Sequence, residues 1–265
     1  MTNSRDRKGA AGANAPPPNS AAGAFAELVR ARSEALNVVQ WLARVAQSYV
    51  TAGTPERRTD LDFCAEDAAF VTQLFADRVA LEMRLPDLHL QFLQNGKRVP
   101  HVFDPQEHSP AEAEAWILVE LLHRGIDREK FSKKLPYAVP GLLSGDAEDY
   151  APAACRNGLA RLTAWFGKAA AVLGEAARAR GADEAGIICL PQALDLALAP
   201  WHGTKTPALG FSPGDQQNPE PHFYARGATR PESAGVKRAI VCASELLAQD
   251  DPVLAAAMLL KMAAE

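Results

Sequence analysis

The hydrophobic period of this chain switches back and forth between helical and extended, and that alternation limits the folds open to it. Phe25, Leu28, Val29, Leu36, Val39, Trp41, Leu42, Val45 and Tyr49 recur at three-to-four spacing. Such spacing puts them on one stripe of an α-helix. Thr51-Ala-Gly-Thr-Pro55 ends it. Between 60 and 103 the period becomes two. Val79, Leu81, Met83 and Leu85 alternate with Ala80, Glu82 and Arg84, the pattern of a half-buried strand. After Pro86, Leu88, Leu90 and Phe92 alternate with His89, Gln91 and Leu93. Asn95-Gly96 is the preferred pair for a type I′ hairpin. That turn sets Phe92 opposite Val99, Leu90 opposite His101 and Leu88 opposite Phe103, with His101 the one polar residue on its face. Pro100 has no N–H, so the returning strand is expected at a sheet edge.

The helical period then returns. Ser109-Pro110-Ala111-Glu112 reads as a capping box with Pro at the first helical position, and Gly125 ends that helix. An irregular stretch covers 131–149. A long helix follows over 152–180, with Leu159, Leu162, Trp165, Phe166, Val172 and Leu173 as its stripe and Gly181 at its end. Strands are expected near 186–190, 193–198, 207–211, 222–226 and 237–243. Asp251-Pro252 caps a last helix. Clustered strands with short turns predict an α+β fold, a largely antiparallel sheet packed with helices. The two strand-rich segments have similar size and order, which allows two pseudo-equivalent halves, although no sequence repeat relates them. Residues 1–22, rich in Ala, Gly, Pro and Asn, cannot bury enough surface to offset chain entropy and are expected to be a disordered tail. Residues 23–265 are expected to form a single α+β domain.

Composition excludes some functions. Apolar residues make up 48% of the chain, enough for a sizeable core, and the formal net charge of -4 argues against a broad nucleic-acid surface. No apolar run approaches the roughly 18 residues that a membrane span needs. Arg5, Arg7 and Lys8 are not followed by an apolar segment, so no secretory signal is read and the expected location is cytoplasmic. The four cysteines form no C-x-x-C pair and are expected to be reduced and mostly buried. His101 and His108 are seven apart and His202 stands beside Trp201, but neither an H-x-x-x-H nor an H-x-E group occurs, so no metal site is expected. No glycine-rich nucleotide loop and no G-x-S-x-G elbow is present, and the residues name no cofactor.

Chemistry-bearing residues gather in one place. Ser212-Pro213-Gly214-Asp215 suits a type II turn, either presenting Asp215 to a pocket or letting it satisfy its own loop. His222, Tyr224 and Arg226 share one strand face, which can line an anion site or be a wet sheet face. Asp195 points away from Leu194, Leu196 and Leu198 and would need a partner such as Arg226 or His222. The expectation is one polar pocket holding Asp195, Ser212, Asp215, His222, Tyr224 and Arg226, with Arg226 as the main charge partner of an anion. Two partner classes stay open: a small polar or anionic ligand, and a protein partner or second copy of the chain.

The segments "VVQWLARVAQSYV", "RRTDLDFCAEDAAFVTQLF", "VALEMRLPDLHLQFL", "CLPQALDLAL" and "GFSPGDQQNPEPHFYARG" together resemble an uncharacterised family of bacterial proteins. The S-P-G-D turn followed by P-x-F-Y is the most specific element. The family pattern before that turn resembles C-W-P-H-H-F-D, where this chain has Cys189-Leu190-Pro191-Gln192-Ala193-Leu194-Asp195. The Asp matches and both His positions are replaced. The resemblance implies a shared fold and supplies no activity.

The capping box yields a first prediction. Ser109→Ala should destabilise the chain by about 1 kcal/mol. Denaturant unfolding should show a lower midpoint at unchanged slope.

Overall fold

The computed structural model describes residues 21–181, 186–198, 208–226, 238–248 and 250–264. Most of the expected tail lies outside these residues, while Ala21 and Ala22 already belong to the first helix. Helix α1 (Ala21–Tyr49) leads into β1 (Leu61–Cys64), β2 (Ala69–Thr72), β3 (Val79–Arg84), β4 (Leu90–Gln94) and β5 (Lys97–Phe103), followed by α2 (Pro110–His123). Helix α3 (Arg156–Ala179) leads into β6 (Ile187–Leu190), β7 (Asp195–Leu198), β8 (Ala208–Ser212), β9 (His222–Arg226) and β10 (Arg238–Cys242), followed by α4 (Ala243–Leu246) and α5 (Pro252–Ala264). The strands form one ten-stranded antiparallel sheet in the order β10-β9-β8-β7-β6-β1-β2-β3-β4-β5. The fold is therefore α+β, built from two five-strand meanders. Each is preceded by a long helix and followed by shorter ones. They join where Leu61 faces Cys189 and Asp62 faces Ile188.

The local signals act as their chemistry requires. Ser109 Oγ accepts from the Glu112 N–H at 3.3 Å, and the Ser109 N–H donates to Glu112 Oε2 at 2.8 Å. Asn95 and Gly96 take φ of 52° and 74°, the left-handed pair that closes a tight hairpin. Asp251 Oδ1 accepts from the N–H groups of Val253 and Leu254 at the start of α5. None of the described helices is long and apolar enough to cross a membrane.

One core serves both halves. Phe63 and Phe70 from the first meander, Phe166 from α3, and Phe211 and Phe223 from the second form a chain of rings. Successive centroids along it lie 5.2, 5.3, 5.5 and 5.3 Å apart. Helix α1 lies against α3, and α3 against α5. Gly158 makes the first contact close, because a Cβ there would run into the Glu27 carbonyl of α1.

Three expectations need correction. Strand β3 is buried on both faces rather than one, and Glu82 is only 2% exposed. Its charge is met by Arg98, which reaches across from β5 with Nε at 2.6 Å from Oε1 and Nη2 at 3.1 Å from Oε2. The hairpin starts in the expected register, with Leu93 facing Arg98, but it shifts beyond, so Leu90 faces Phe103 instead of His101. Pro100 lies in the shifted stretch, where its missing N–H interrupts the ladder. The shift is two residues, so His101 keeps its face. Finally, all four cysteines are free, but only Cys155 and Cys189 are buried, while Cys64 and Cys242 are half-buried.

A buried polar contact in the α1 packing joins Trp41 and Tyr150. Trp41 Nε1–H donates to the Tyr150 hydroxyl at 2.8 Å, and both side chains are buried. Burial pushes the Tyr150 hydroxyl up to about 12, and that of Tyr49 to about 12 as well. A raised phenol favours the protonated folded state, so this stability is complete below the ordinary value of about 10 and is lost as pH rises through the folded value. The unfolding midpoint should therefore fall between about pH 10 and pH 12, and fall less steeply in Tyr150→Phe.

Candidate functional site

The irregular segment between α2 and α3 is stitched to one polar stripe of α1. Going down the helix, Glu34 Oε2 accepts from the Ala151 N–H, and Asn37 Oδ1 from the Leu143 N–H. Gln40 Oε1 accepts from the Tyr137 hydroxyl, Arg44 donates to the Lys133 carbonyl, and Ser48 Oγ accepts from the Ser132 N–H. These positions recur at three-to-four spacing, so a helical stripe can meet an extended backbone along its length. Gln40 Nε2 also donates to the Pro191 carbonyl at 2.7 Å, tying the β6–β7 turn to the same helix.

Above this stripe a cleft of about 670 Å3 opens between α1, the 139–140 segment, the β6–β7 turn and the β8–β9 loop. Val29, Leu36, Val139 and Pro140 supply apolar wall, and Arg32, Ser33, Gln192, Asp215, Gln216 and Gln217 supply polar groups. Arg32 Nη1 is buried and has no hydrogen-bond partner among the described residues. Burial pulls the Arg32 guanidinium below its ordinary range, and the charge of Asp215 partly opposes this. Gly214 makes the approach possible. Its φ is 109°, and a Cβ there would stand 2.5 Å from Arg32 Nη1 and run into the Pro219 carbonyl. Asp215 also serves its own loop, with Oδ1 accepting from the N–H groups of Gln217 at 2.8 Å and Asn218 at 2.6 Å. Asp215 thus lines the cleft and at the same time holds its own loop.

Of the six expected site residues, only Asp215 lines this cleft among the described residues. The others lie along the sheet. Ser212 faces His222 across β8 and β9. The β7–β8 register, carried one step past Leu196–Phe211, sets Asp195 beside Ser212. Ser212 and His222 are 2% and 1% exposed, so this row is not a wet face. His222 Nδ1–H donates to the Glu220 carbonyl at 2.9 Å, which fixes its tautomer. Tyr224 faces Gly210, and its ring occupies the space that a Gly210 side chain would take. The backbone of Arg226 pairs with Ala208 and Arg238, and its side chain lies outside the described residues. The charge on Asp195 adds to burial in pushing the Cys189 thiol well up, so that thiol is a poor nucleophile.

Two groups of functional interest escape a motif search. Arg32 stands three after Val29 and four before Leu36, on the apolar stripe itself. Glu120 likewise stands three after Ile117 on the core face of α2, where it is buried beside His101 and His123. No metal site is expected from the sequence, yet these three are, among the described residues, a group able to hold an ion. A charge on an apolar stripe was the signal in both cases.

No family model, no curated protein and no solved structure matches the chain.

The Tyr224–Gly210 contact generates a prediction. Gly210→Ala should cost about 1–3 kcal/mol through overpacking. Combined with Tyr224→Ala, the loss should fall short of the sum of the two single losses, as a double-mutant cycle in urea would measure.

Proposed function

We propose that the chain binds a small anionic molecule in the cleft between α1 and the β8–β9 loop, with Arg32 as its charge partner. The observation that carries this reading is Arg32, which lines a cleft of about 670 Å3 and whose buried Nη1 has no hydrogen-bond partner among the described residues. A buried donor without an acceptor costs free energy. A carboxylate or phosphate group offers the planar guanidinium two acceptors at once. Cavities of about 300–1,000 Å3 are usual for small-molecule sites. The apolar wall suits a ligand with a hydrocarbon or ring portion, and the three glutamines suit hydroxyl or amide groups on it. Asp215 would repel an anion, but two loop N–H groups already draw on its Oδ1.

Gln192 and Ala193, which replace the two His of the pattern the chain resembles, line the same wall. The reading is therefore binding, without a His-dependent reaction at those positions. The four free cysteines suit a reducing compartment, and the reading takes the chain to be cytoplasmic.

A second reading, a non-catalytic interaction or assembly protein, draws on α5. Val253, Leu254 and Met258 there are 58%, 41% and 46% exposed. Native mass spectrometry of the purified chain separates the two, since one expects a retained small molecule and the other a second polypeptide.

Arg32→Gln should abolish retention of the small molecule while shifting stability by no more than about 0.5 kcal/mol. If Arg32 serves only to neutralise Asp215, the unfolding free energy should instead drop by about 1–3 kcal/mol with no ligand lost.

A further inference from the structure

The geometry points to a divalent transition-metal site formed by His101 of β5 with Glu120 and His123 of α2, separate from the anion cleft and independent of it. Glu120 is the centre of the group. Its side chain is 3% exposed, whereas those of His101 and His123 are 66% and 56% exposed. Arg124 Nη1 donates to Glu120 Oε2 at 2.7 Å. The other oxygen, Oε1, lies 3.1 Å from His101 Nδ1 and 3.6 Å from His123 Nδ1. All three ligand atoms lie within 4.8 Å of one another.

These spacings match what an ion requires. Metal–ligand bonds of about 2.0–2.2 Å at tetrahedral angles place neighbouring ligand atoms about 3.3–3.5 Å apart. The two distances to Glu120 Oε1, 3.1 and 3.6 Å, bracket that value, and the two imidazoles have ligand atoms within 4.8 Å of each other. Local structure explains the convergence. Glu120 and His123 are three apart on a helix and so share a face. The two-residue shift at Pro100 keeps His101 on the α2 side of its strand. Arg124 is anchored by stacking over the Phe92 ring at 4.6 Å and by its bond to Oε2, leaving Oε1 turned to the imidazoles. It plays the part of an outer partner that orients a ligating carboxylate.

The donor set selects the ion. Two imidazole nitrogens and one carboxylate oxygen suit Zn2+ and its neighbours, while Mg2+ and Ca2+ call for more oxygens. The Arg124 charge disfavours the hard, purely electrostatic binding of those two ions. Each imidazole binds as the neutral ring, with the Nδ1 lone pair on the metal and the proton on Nε2; a proton leaves for solvent only where the ring starts as imidazolium, and otherwise moves from Nδ1 to Nε2. Three protein ligands leave a fourth position. It faces away from buried Glu120, toward solvent between two exposed rings. The ion would also pin the edge strand β5 to α2.

The test uses the full, untagged chain after chelator treatment, with ZnCl2 as the probe in calorimetric titration. One equivalent of Zn2+ should bind, excess Mg2+ should not compete, and Zn2+ should raise Tm. His101→Ala and His123→Ala should each weaken binding more than about 100-fold, since even losing an outer partner costs about 10–100-fold. Both side chains are exposed, and circular dichroism checks that each variant folds. On the unmodified chain, saturating Zn2+ should protect His101 and His123 from diethyl pyrocarbonate, read by peptide mass mapping. Absence of one-equivalent binding, unchanged binding in either His101→Ala or His123→Ala, or unprotected His101 and His123 would each overturn the site.

Discussion

Gln40 does what the rest of the structure depends on. It is a wholly buried amide in the middle of α1. Its Nε2 donates to the Leu36 carbonyl at 3.0 Å and to the Pro191 carbonyl at 2.7 Å, and its Oε1 accepts from the Tyr137 hydroxyl at 3.1 Å. A buried amide left unmatched would oppose folding, so these partners have to be in place together. Three parts of the chain are thereby fixed to one another: the long helix, the irregular segment before α3, and the turn that opens the second meander. The helix can do this because it carries two stripes, an apolar one for the core and a polar one that satisfies loop backbone.

Sheet order follows from a different constraint. Two meanders of five strands each have a first strand with one unpaired side. Pairing β1 with β6 removes both of those edges at once and leaves only β5 and β10 at the margins. Strand β5 carries Lys97, Arg98, Pro100 and an interrupted register, features that discourage another chain from adding to it. The Phe63–Phe70–Phe166–Phe211–Phe223 chain then makes one core of the two halves. The cleft lies where loops from the second half meet the helix of the first, so neither half alone would form it.

The two candidate sites share a physical origin. Arg32 and Glu120 are charges set on helix stripes otherwise occupied by apolar residues. A charge in such a place must find a partner or a ligand, because the apolar neighbours supply none. Glu120 finds Arg124 and two imidazoles. Arg32 reaches over Gly214 toward the Asp215 loop and, among the described residues, keeps one nitrogen without an acceptor. Ser212, His222 and Tyr224, by contrast, are buried in the sheet. Tyr224 fills the gap above Gly210, and His222 is held by the Glu220 carbonyl.

What the sequence determined by itself is local. The 3.6 period marked α1 and α3, the 2.0 period marked β3 and β4, the Ser109 capping box, the Asp251 cap and Asn95-Gly96 marked ends, and clustering of strands marked the antiparallel α+β fold. These signals act between residues a few positions apart, so the sequence carries them directly. Tertiary structure decided which distant residues meet. Gln40 and Pro191 bond across 151 positions, and no local pattern encodes that distance. Period two on β3 predicted one wet face, but Arg98 folds back over Glu82 from two strands away. Alternation puts His222 and Tyr224 on one side of their strand, yet a strand face becomes a site only if nothing fills the space before it, and Tyr224 fills its own. The place where a cavity remains is set by how the helix, turn and loop surfaces fail to close on one another, and that is a property of packing alone.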